Sequence, residues 1–210
     1  MVRYEQGLPG SVASEERISK LYRLHRVEPA FRRCFASPAV TDVLRSVIGP
    51  HVDLFLSQIV FKLPGALGQP WHQDASIFPF EPAGPVVGVW CALTDATGPS
   101  SQLVVDPASH RSGQRPHGRD TTHPTGGRYV ALVDQAVSGA KLLDLCCGDA
   151  VFLDSALVHG STDNRLNEAR VAATAHFASA GTIDRTQETF GANPFNDWTP
   201  WLRDGRLIHS

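Results

Sequence analysis

With 210 residues, of which 42% are hydrophobic, the chain is long enough to bury one sizeable core and is expected to form a single domain. A formal net charge of −2 gives no bias towards nucleic acid or an anionic membrane surface, so neither is expected as a partner. Met1 to Gly10 lacks a basic stretch leading into an apolar run, and no apolar stretch approaches membrane-spanning length, so a cytoplasmic location is expected.

Residues 1–50 are predicted to be mainly helical. Ser14 is placed to cap a helix whose apolar side is Ile18, Leu21, Tyr22 and His25, at i, i+3, i+4 and i+7. A second helix has stronger punctuation: Ser37 as N-cap, Pro38 at the first helical position, a stripe of Val40, Val43, Leu44, Val47 and Ile48, and Gly49 at the end. Both helices are expected to pack on the outer face of a sheet. From Val52 onward short apolar runs alternate with Gly, Pro, Asn and Asp, which favours a β-sandwich or barrel over residues 51–180, followed by a C-terminal segment 181–210.

Within this β-region, Gln58 is a polar residue in the apolar run Leu56-Ser57-Gln58-Ile59-Val60, and a buried amide needs partners. The longest turn-rich piece is 106–128. Its Arg111, Arg115, His117, Arg119 and His123 are read first as a solvated loop, with contact to an anionic ligand as the alternative. The four cysteines, Cys34, Cys91, Cys146 and Cys147, follow no C-x-x-C spacing and are expected to be reduced and mostly buried rather than ligands.

The chemistry concentrates in three places. His72-Gln73-Asp74, if it lies on a strand, projects an imidazole and a carboxylate from one face. His159 follows 87 residues after His72, at the end of a turn and a buried apolar run starting at Gly148. Arg170 opens the next apolar run, Val171 to Phe177, after the turn-rich residues 162–167, so neighbouring antiparallel strands are expected to bring it near His159. Two histidines and one carboxylate are the set that holds non-haem Fe(II) with coordination positions left open, and an arginine beside it suits a dicarboxylate.

These residues resemble the phytanoyl-CoA dioxygenase (PhyH-like) family of Fe(II)/2-oxoglutarate oxygenases, from about Gln58 to Phe177. Trp71 to Phe80 is similar to the family's HxD strand and following loop, Val89 to Asp95 to the next core strand, and Leu103 to His110 to its "vvPGSH" element. The fourth match is His159-x-Ser161 with Arg170 eleven residues past the histidine. Ala108 departs from a family glycine, and Ser100-Ser101 stand where Asn-Gly is common; both bear on turn geometry.

The resemblance implies a double-stranded β-helix, a cupin-like jelly roll with N-terminal α-helices packed on the sheet. It implies His72, Asp74 and His159 as Fe(II) ligands and Arg170 as partner of the distal carboxylate of 2-oxoglutarate, supported by Ser161, with Gln58 and Trp90 near the same cosubstrate. Phe78 and Phe80 are candidate walls of the substrate pocket, while Lys62 and His110 are read as structural. The implied reaction consumes O2 and 2-oxoglutarate, with ascorbate as an auxiliary reductant. It releases succinate and CO2 and hydroxylates a small molecule, with epimerisation, desaturation or cyclisation as variants. Two rivals are a zinc-dependent hydrolase on the same three ligands, which has no use for Arg170 and Ser161, and a non-catalytic ligand-binding jelly roll.

Overall fold

A computed structural model of the protein describes residues 1–4, 17–120, 129–185 and 195–208. The chain begins with β1 (Val2–Tyr4) and β2 (Ile18–Tyr22), then α1 (Leu24–Val27), α2 (Pro29–Phe35) and α3 (Pro38–Val47). The β-region follows with β3 (Val52–Lys62), β4 (Phe80–Glu81), β5 (Val86–Ala92), β6 (Leu103–Val105), β7 (His117–Arg119), β8 (Val130–Leu132) and β9 (Lys141–Leu143). It ends with β10 (Ala150–Asp154), β11 (His159–Ser161), β12 (Arg170–Ser179), β13 (Ile183–Asp184), β14 (Thr199–Arg203) and β15 (Arg206–Leu207).

The larger sheet has the order β1-β2-β3-β12-β5-β10, with β14 pairing β3 and β15 pairing β14. Its central strands are covered on both faces, so β5 and β12 read as nearly unbroken apolar runs rather than alternating ones. One face carries Val87, Val89, Cys91, Ala173, Ala175 and Phe177, against which α2 and α3 lay Phe31, Phe35, Val40 and Leu44. Small alanines on β12 give the helices room to approach. The opposite face carries Trp90, Ala92 and Ala172 and meets Ala96 of the connecting segment and Leu103 of the smaller sheet, β11-β6-β9. This is the jelly-roll arrangement, with a helical cover on one side and a cavity between the sheets on the other.

Helix α3 begins at Pro38 and is followed by Gly49 at φ 119°, as expected from its punctuation, although the Ser37 side chain makes no capping bond. The expected helix around Ile18 to His25 is corrected: Ile18–Tyr22 is the strand β2, and Ser14 lies outside the described residues. Four apolar positions are a short signal, and β2 gains partners on both sides, Lys20 opposite Val60 and Tyr22 opposite Gln58 in β3. Arg23, at φ 64°, then breaks the backbone before α1.

In the 106–128 stretch the described part is not all loop, since Ser109–Ser112 forms a 3-10 turn and His117–Arg119 pairs with Val130–Leu132. His123 lies outside the described residues. All four cysteines are free, but only Cys91 is buried, which corrects the expectation of mostly buried thiols; Cys146 and Cys147 sit on an exposed turn. Among the described residues no helix is long and apolar enough to cross a membrane.

Candidate metal centre

His72 and His159 form an isolated antiparallel bridge in which each backbone N–H donates to the other residue's carbonyl at 2.9 Å, which brings their ring centres to 4.2 Å. The segment before His72 crosses β11 so closely that a Cβ on Gly68 would lie 2.1 Å from the Ser161 carbonyl oxygen. Only a glycine permits that crossing. The expectation that the whole triplet lies on a strand is corrected, because Asp74 opens a 3-10 turn, Asp74–Ser76, closed by the Ile77 N–H donating to the Asp74 carbonyl at 2.8 Å. The turn still carries the carboxylate back, with Asp74 Oδ1 3.7 Å from His72 Nε2.

Ligand atoms of His72, Asp74 and His159 all lie within 4.8 Å of one another, and all three residues are buried. Each imidazole donates its Nδ1–H to the carbonyl two residues earlier, His72 to Pro70 at 2.9 Å and His159 to Leu157 at 3.0 Å. Those partners assign the tautomer and leave Nε2 as the lone pair facing the centre. The Gln69 amide donates to His72 Nε2 at 2.9 Å. Burial pushes His72 down to about 3, with His159 adding to the effect, so its imidazole is neutral at physiological pH. Burial alone would raise the Asp74 carboxyl, but the hydrogen bond from His176 and the nearby histidines hold it well below the usual carboxylate range. Two imidazoles and one carboxylate, with open space beside them, fit a divalent transition metal such as Fe(II).

The three residues line a cavity of about 310 Å³ between the two sheets. At one end stands Arg170, 4% exposed, its guanidinium carbon 5.2 Å over the Trp90 ring and its Nη2 3.4 Å from Ser101 Oγ. Its Nε and Nη1 are buried without a partner in the protein. Burial pushes the guanidinium down to about 10, so it stays cationic at neutral pH. A buried cation with two unmet donors in a planar fork is a receptor for a carboxylate. Arg170 does not sit on a strand next to His159, contrary to expectation: β12 and β11 belong to different sheets, and the two residues face the cavity from opposite sides.

Ser161 lines the cavity too, its Oγ accepting from Lys62 Nζ at 3.1 Å and from the Gln69 N–H at 3.0 Å. Lys62, first read as structural, is therefore part of the Arg170 end; the two residues are opposite partners across β3 and β12. Gln58 and Trp90 flank Thr174 of β12 in one cross-strand row and line the cavity. At the other end Phe78 forms a wall with Ile77, Leu56 and Tyr22. Phe80 does not line the cavity; it stacks behind Phe78 at 5.6 Å and packs edge-on against Phe55. A register shift in the pairing between His176 and Phe177 adds one residue to β3, so that Phe55 joins Leu56, Phe78 and Val86 in a cluster apart from that of its neighbour Leu54.

The sequence reading missed Ser101, Gln73, Thr174 and His176. Ser101 is fully buried at φ 66° and touches Arg170; Ala108 also adopts φ 67°, so both departures from the family's glycine-bearing pattern fall at left-handed positions. Gln73 is fully buried, its amide donating to the Gly113 and Ala156 carbonyls and accepting from the Arg115 N–H. Arg115 and His117 thus support the segment after His72, and no described basic residue of 106–120 lines the cavity. Thr174 and His176 share the parity of Arg170 along β12, a signal that was present in the sequence, and both line the cavity.

Residues 7–172 match the sequence profile of the family described as phytanoyl-CoA dioxygenase (PhyH). The human "Phytanoyl-CoA dioxygenase, peroxisomal" is 30% identical over 175 residues, covering 80% of this chain and 51% of the human protein. The zebrafish (Danio rerio) "Phytanoyl-CoA dioxygenase domain-containing protein 1" is 31% identical over 173 residues, 79% of this chain and 58% of that protein. The chain therefore spans about half the length of the curated relatives it matches. Among solved structures, the "non-heme alpha ketoglutarate dependent epimerase SnoN from nogalamycin biosynthesis" aligns with a TM-score of 0.67 at 20% identity, over 100% of this chain and 79% of that one. EctD from S. alaskensis, solved "with 2-oxoglutarate and 5-hydroxyectoine", aligns with a TM-score of 0.61 at 19% identity, over 82% of this chain and 62% of its own. At these identities the likeness is one of fold.

Proposed function

The chain belongs to the phytanoyl-CoA dioxygenase (PhyH) family, and from that premise we propose that it is a non-haem Fe(II)/2-oxoglutarate-dependent dioxygenase acting on a small molecule. The observation that carries this reading is the pairing, in one cavity, of three converging ligands with a buried arginine whose donors are unmet. His72, Asp74 and His159 would hold the iron, and Arg170 would receive the distal carboxylate of 2-oxoglutarate. Trp90 places its ring 5.2 Å from that guanidinium carbon, Ser101 bonds one nitrogen, and Ser161, Lys62 and Gln58 supply further polar groups at the same end. A zinc hydrolase would leave this cationic end without a task.

When bound, iron with 2-oxoglutarate and O2 supplies the oxidising chemistry, in which the 2-oxo acid is converted to succinate and CO2 and one oxygen atom is available for a substrate C–H bond. The residues of the chain divide the remaining work. The Nε2 lone pairs of the two histidines and the ionised Asp74 carboxylate would hold the metal, with Gln69 giving up its bond to His72 Nε2, because the Nδ1 atoms and Asp74 Oδ2 are already bonded elsewhere. Phe78, Ile77, Leu56 and Tyr22 exclude water from the far end of the cavity, while the Thr174 hydroxyl, buried without a partner between Gln58 and Trp90, offers a further polar contact. A cavity of about 310 Å³ suits the cosubstrate and a small substrate with mixed apolar and polar surface.

Hydroxylation is the outcome we propose; epimerisation, desaturation and cyclisation are variants of the same chemistry. The proposal includes action by residues 1–210 as one domain and a cytoplasmic location, which the four free thiols support. The test is incubation of purified protein with Fe(II), ascorbate, O2 and 2-oxoglutarate. Slow formation of succinate without a primary substrate is expected, with none when Zn(II) replaces Fe(II). No succinate from Fe(II)-loaded protein, with hydrolytic activity supported by Zn(II), overturns the reading.

A further inference from the structure

The cavity contains a third histidine, outside the ligand set. His176 lies on β12, 9% exposed, with Nε2 3.3 Å from Asp74 Oδ2. That is the hydrogen bond the Asp74 side chain accepts among the described residues; its other oxygen, Oδ1, faces His72 Nε2 at 3.7 Å. The two oxygens of one carboxylate thus have different jobs. Directly across the sheet from His176 stands Gly88 of β5. A Cβ there would lie 3.2 Å from both Nε2 and Cδ2 of His176 and 3.7 Å from Asp74 Oδ2, so the glycine leaves open the space into which the donor edge of the ring extends.

We propose that His176 is a positioning residue for the metal-binding carboxylate: its Nε2–H holds Oδ2 so that Oδ1 is presented towards the two imidazoles, and Gly88 is the gap that permits this. The inference rests on the iron site proposed above and goes beyond it, since His176 is not one of its ligands. Asp74 sits on a 3-10 turn whose backbone is tied to Ser155 through the Ala75 N–H at 2.9 Å, but the bond from His176 is the hydrogen bond described that orients its carboxylate. A carboxylate left free to rotate would offer either oxygen or both. A charge-assisted bond from a ring that is itself wedged among Phe55, Phe78 and β5 selects one.

The alternative is that His176 only fills space in the aromatic cluster, with ring centres 6.0 Å from Phe55 and 5.6 Å from Phe78. Two substitutions separate these roles. His176→Phe keeps a ring and loses the donor; His176→Gln keeps a donor and loses the ring. Gly88→Ala displaces the ring edge without touching either residue. Metal-free protein is titrated with Co(II) alone, following the d–d absorption and the heat of binding, and the unfolding temperature of each metal-free variant is recorded. If His176 positions Asp74, H176F should bind Co(II) roughly 10- to 100-fold more weakly with a changed spectrum, H176Q should stay within about threefold of the unmodified protein, and G88A should fall between. The unfolding temperatures should run the other way, with H176Q below H176F.

Unchanged Co(II) affinity and spectrum in H176F, or equal losses in H176F and H176Q, overturn the positioning role and leave the metal site standing. Should H176F fail to fold, a wild-type Co(II) affinity and spectrum in G88A overturn it. An unmodified protein that binds no Co(II) overturns the metal site itself, which is a different failure.

Discussion

Arg170 sets the cost of the proposed cosubstrate site, and replacing it separates that cost from its return. The guanidinium is 4% exposed, bonded at 3.4 Å to one hydroxyl, and two of its nitrogens have no protein partner. Each hydrogen bond it makes to a carboxylate is of the charged class, roughly 1.5 to 3 kcal/mol. Arg170→Lys keeps the cation but presents a point charge in place of a fork, so one of two such bonds is lost and the dissociation constant for 2-oxoglutarate should rise roughly 10- to 150-fold. Arg170→Met removes both bonds and the charge. It also removes an incompletely paired buried cation, which costs the protein several kcal/mol without its anion, so the cosubstrate-free R170M protein should melt about 2 to 8 °C higher than the unmodified one. The assay is a titration of 2-oxoglutarate into Mn(II)-loaded protein, read by calorimetry, with a parallel melt in the absence of 2-oxoglutarate. Mn(II) affinity should be nearly the same in all three proteins, since Arg170 touches no ligand. Wild-type affinity for 2-oxoglutarate in R170K removes Arg170 from the site. A lower melting temperature in cosubstrate-free R170M shows that its donors are satisfied in some other way.

Gln73→Leu leaves three backbone groups, Gly113 O, Ala156 O and Arg115 N, without the amide that joins them. At about 1 to 3 kcal/mol per unmet group the loss should total about 3 to 9 kcal/mol, a fall in melting temperature on the order of 10 °C or more, with hydrogen-exchange protection lost around Arg115; a melt within about 2 °C of the unmodified protein refutes the clasp. His25 concerns pH. Its ring bonds Ser57 Oγ at 2.6 Å and Thr199 Oγ1 at 2.9 Å, and burial pushes it from an ordinary 6.5 down to about 4. Between those values the unfolded chain takes up a proton that the folded chain does not, so the contribution is complete above about pH 6.5 and is lost as pH falls towards 4. The loss amounts to about 3 kcal/mol, and in denaturant melts of metal-free protein His25→Gln should flatten the stability profile by that amount across this window. An identical slope in both proteins refutes it.

The candidate metal site was legible because its chemistry is short-range and its residue types are few. His72, Asp74, His159 and Arg170 needed only spacing and turn punctuation to be picked out, and helix α3 could be read from Pro38, one apolar stripe and Gly49. Pairing across the sheets was not legible. His159 and Arg170 look like neighbouring strands in the sequence because a turn separates them, yet they end in different sheets. Ile18 to Tyr22 carries too few apolar residues to distinguish a helix stripe from a strand, and the edge of β3 decides the matter. Gln73 and His176 were hidden for another reason: each is a lone polar residue in a run whose value depends on a partner 40 or more residues away, Gly113 for one and Asp74 for the other.

Arg170 and His176 lie six positions apart on one strand, a span of roughly 20 Å at the rise of an extended chain. The strand therefore acts as a gauge: the separation between the carboxylate receptor and the group that bonds Asp74 is a fixed number of peptide units, not the setting of a loop. Sliding β12 by one residue would turn Arg170, Thr174 and His176 to the helix side together, and the register shift beside His176 locks the strand against such a slide. Change in what the cavity accepts is thus confined to the segments that close its ends, around Leu67 and around Ile77, where length can vary without altering the gauge.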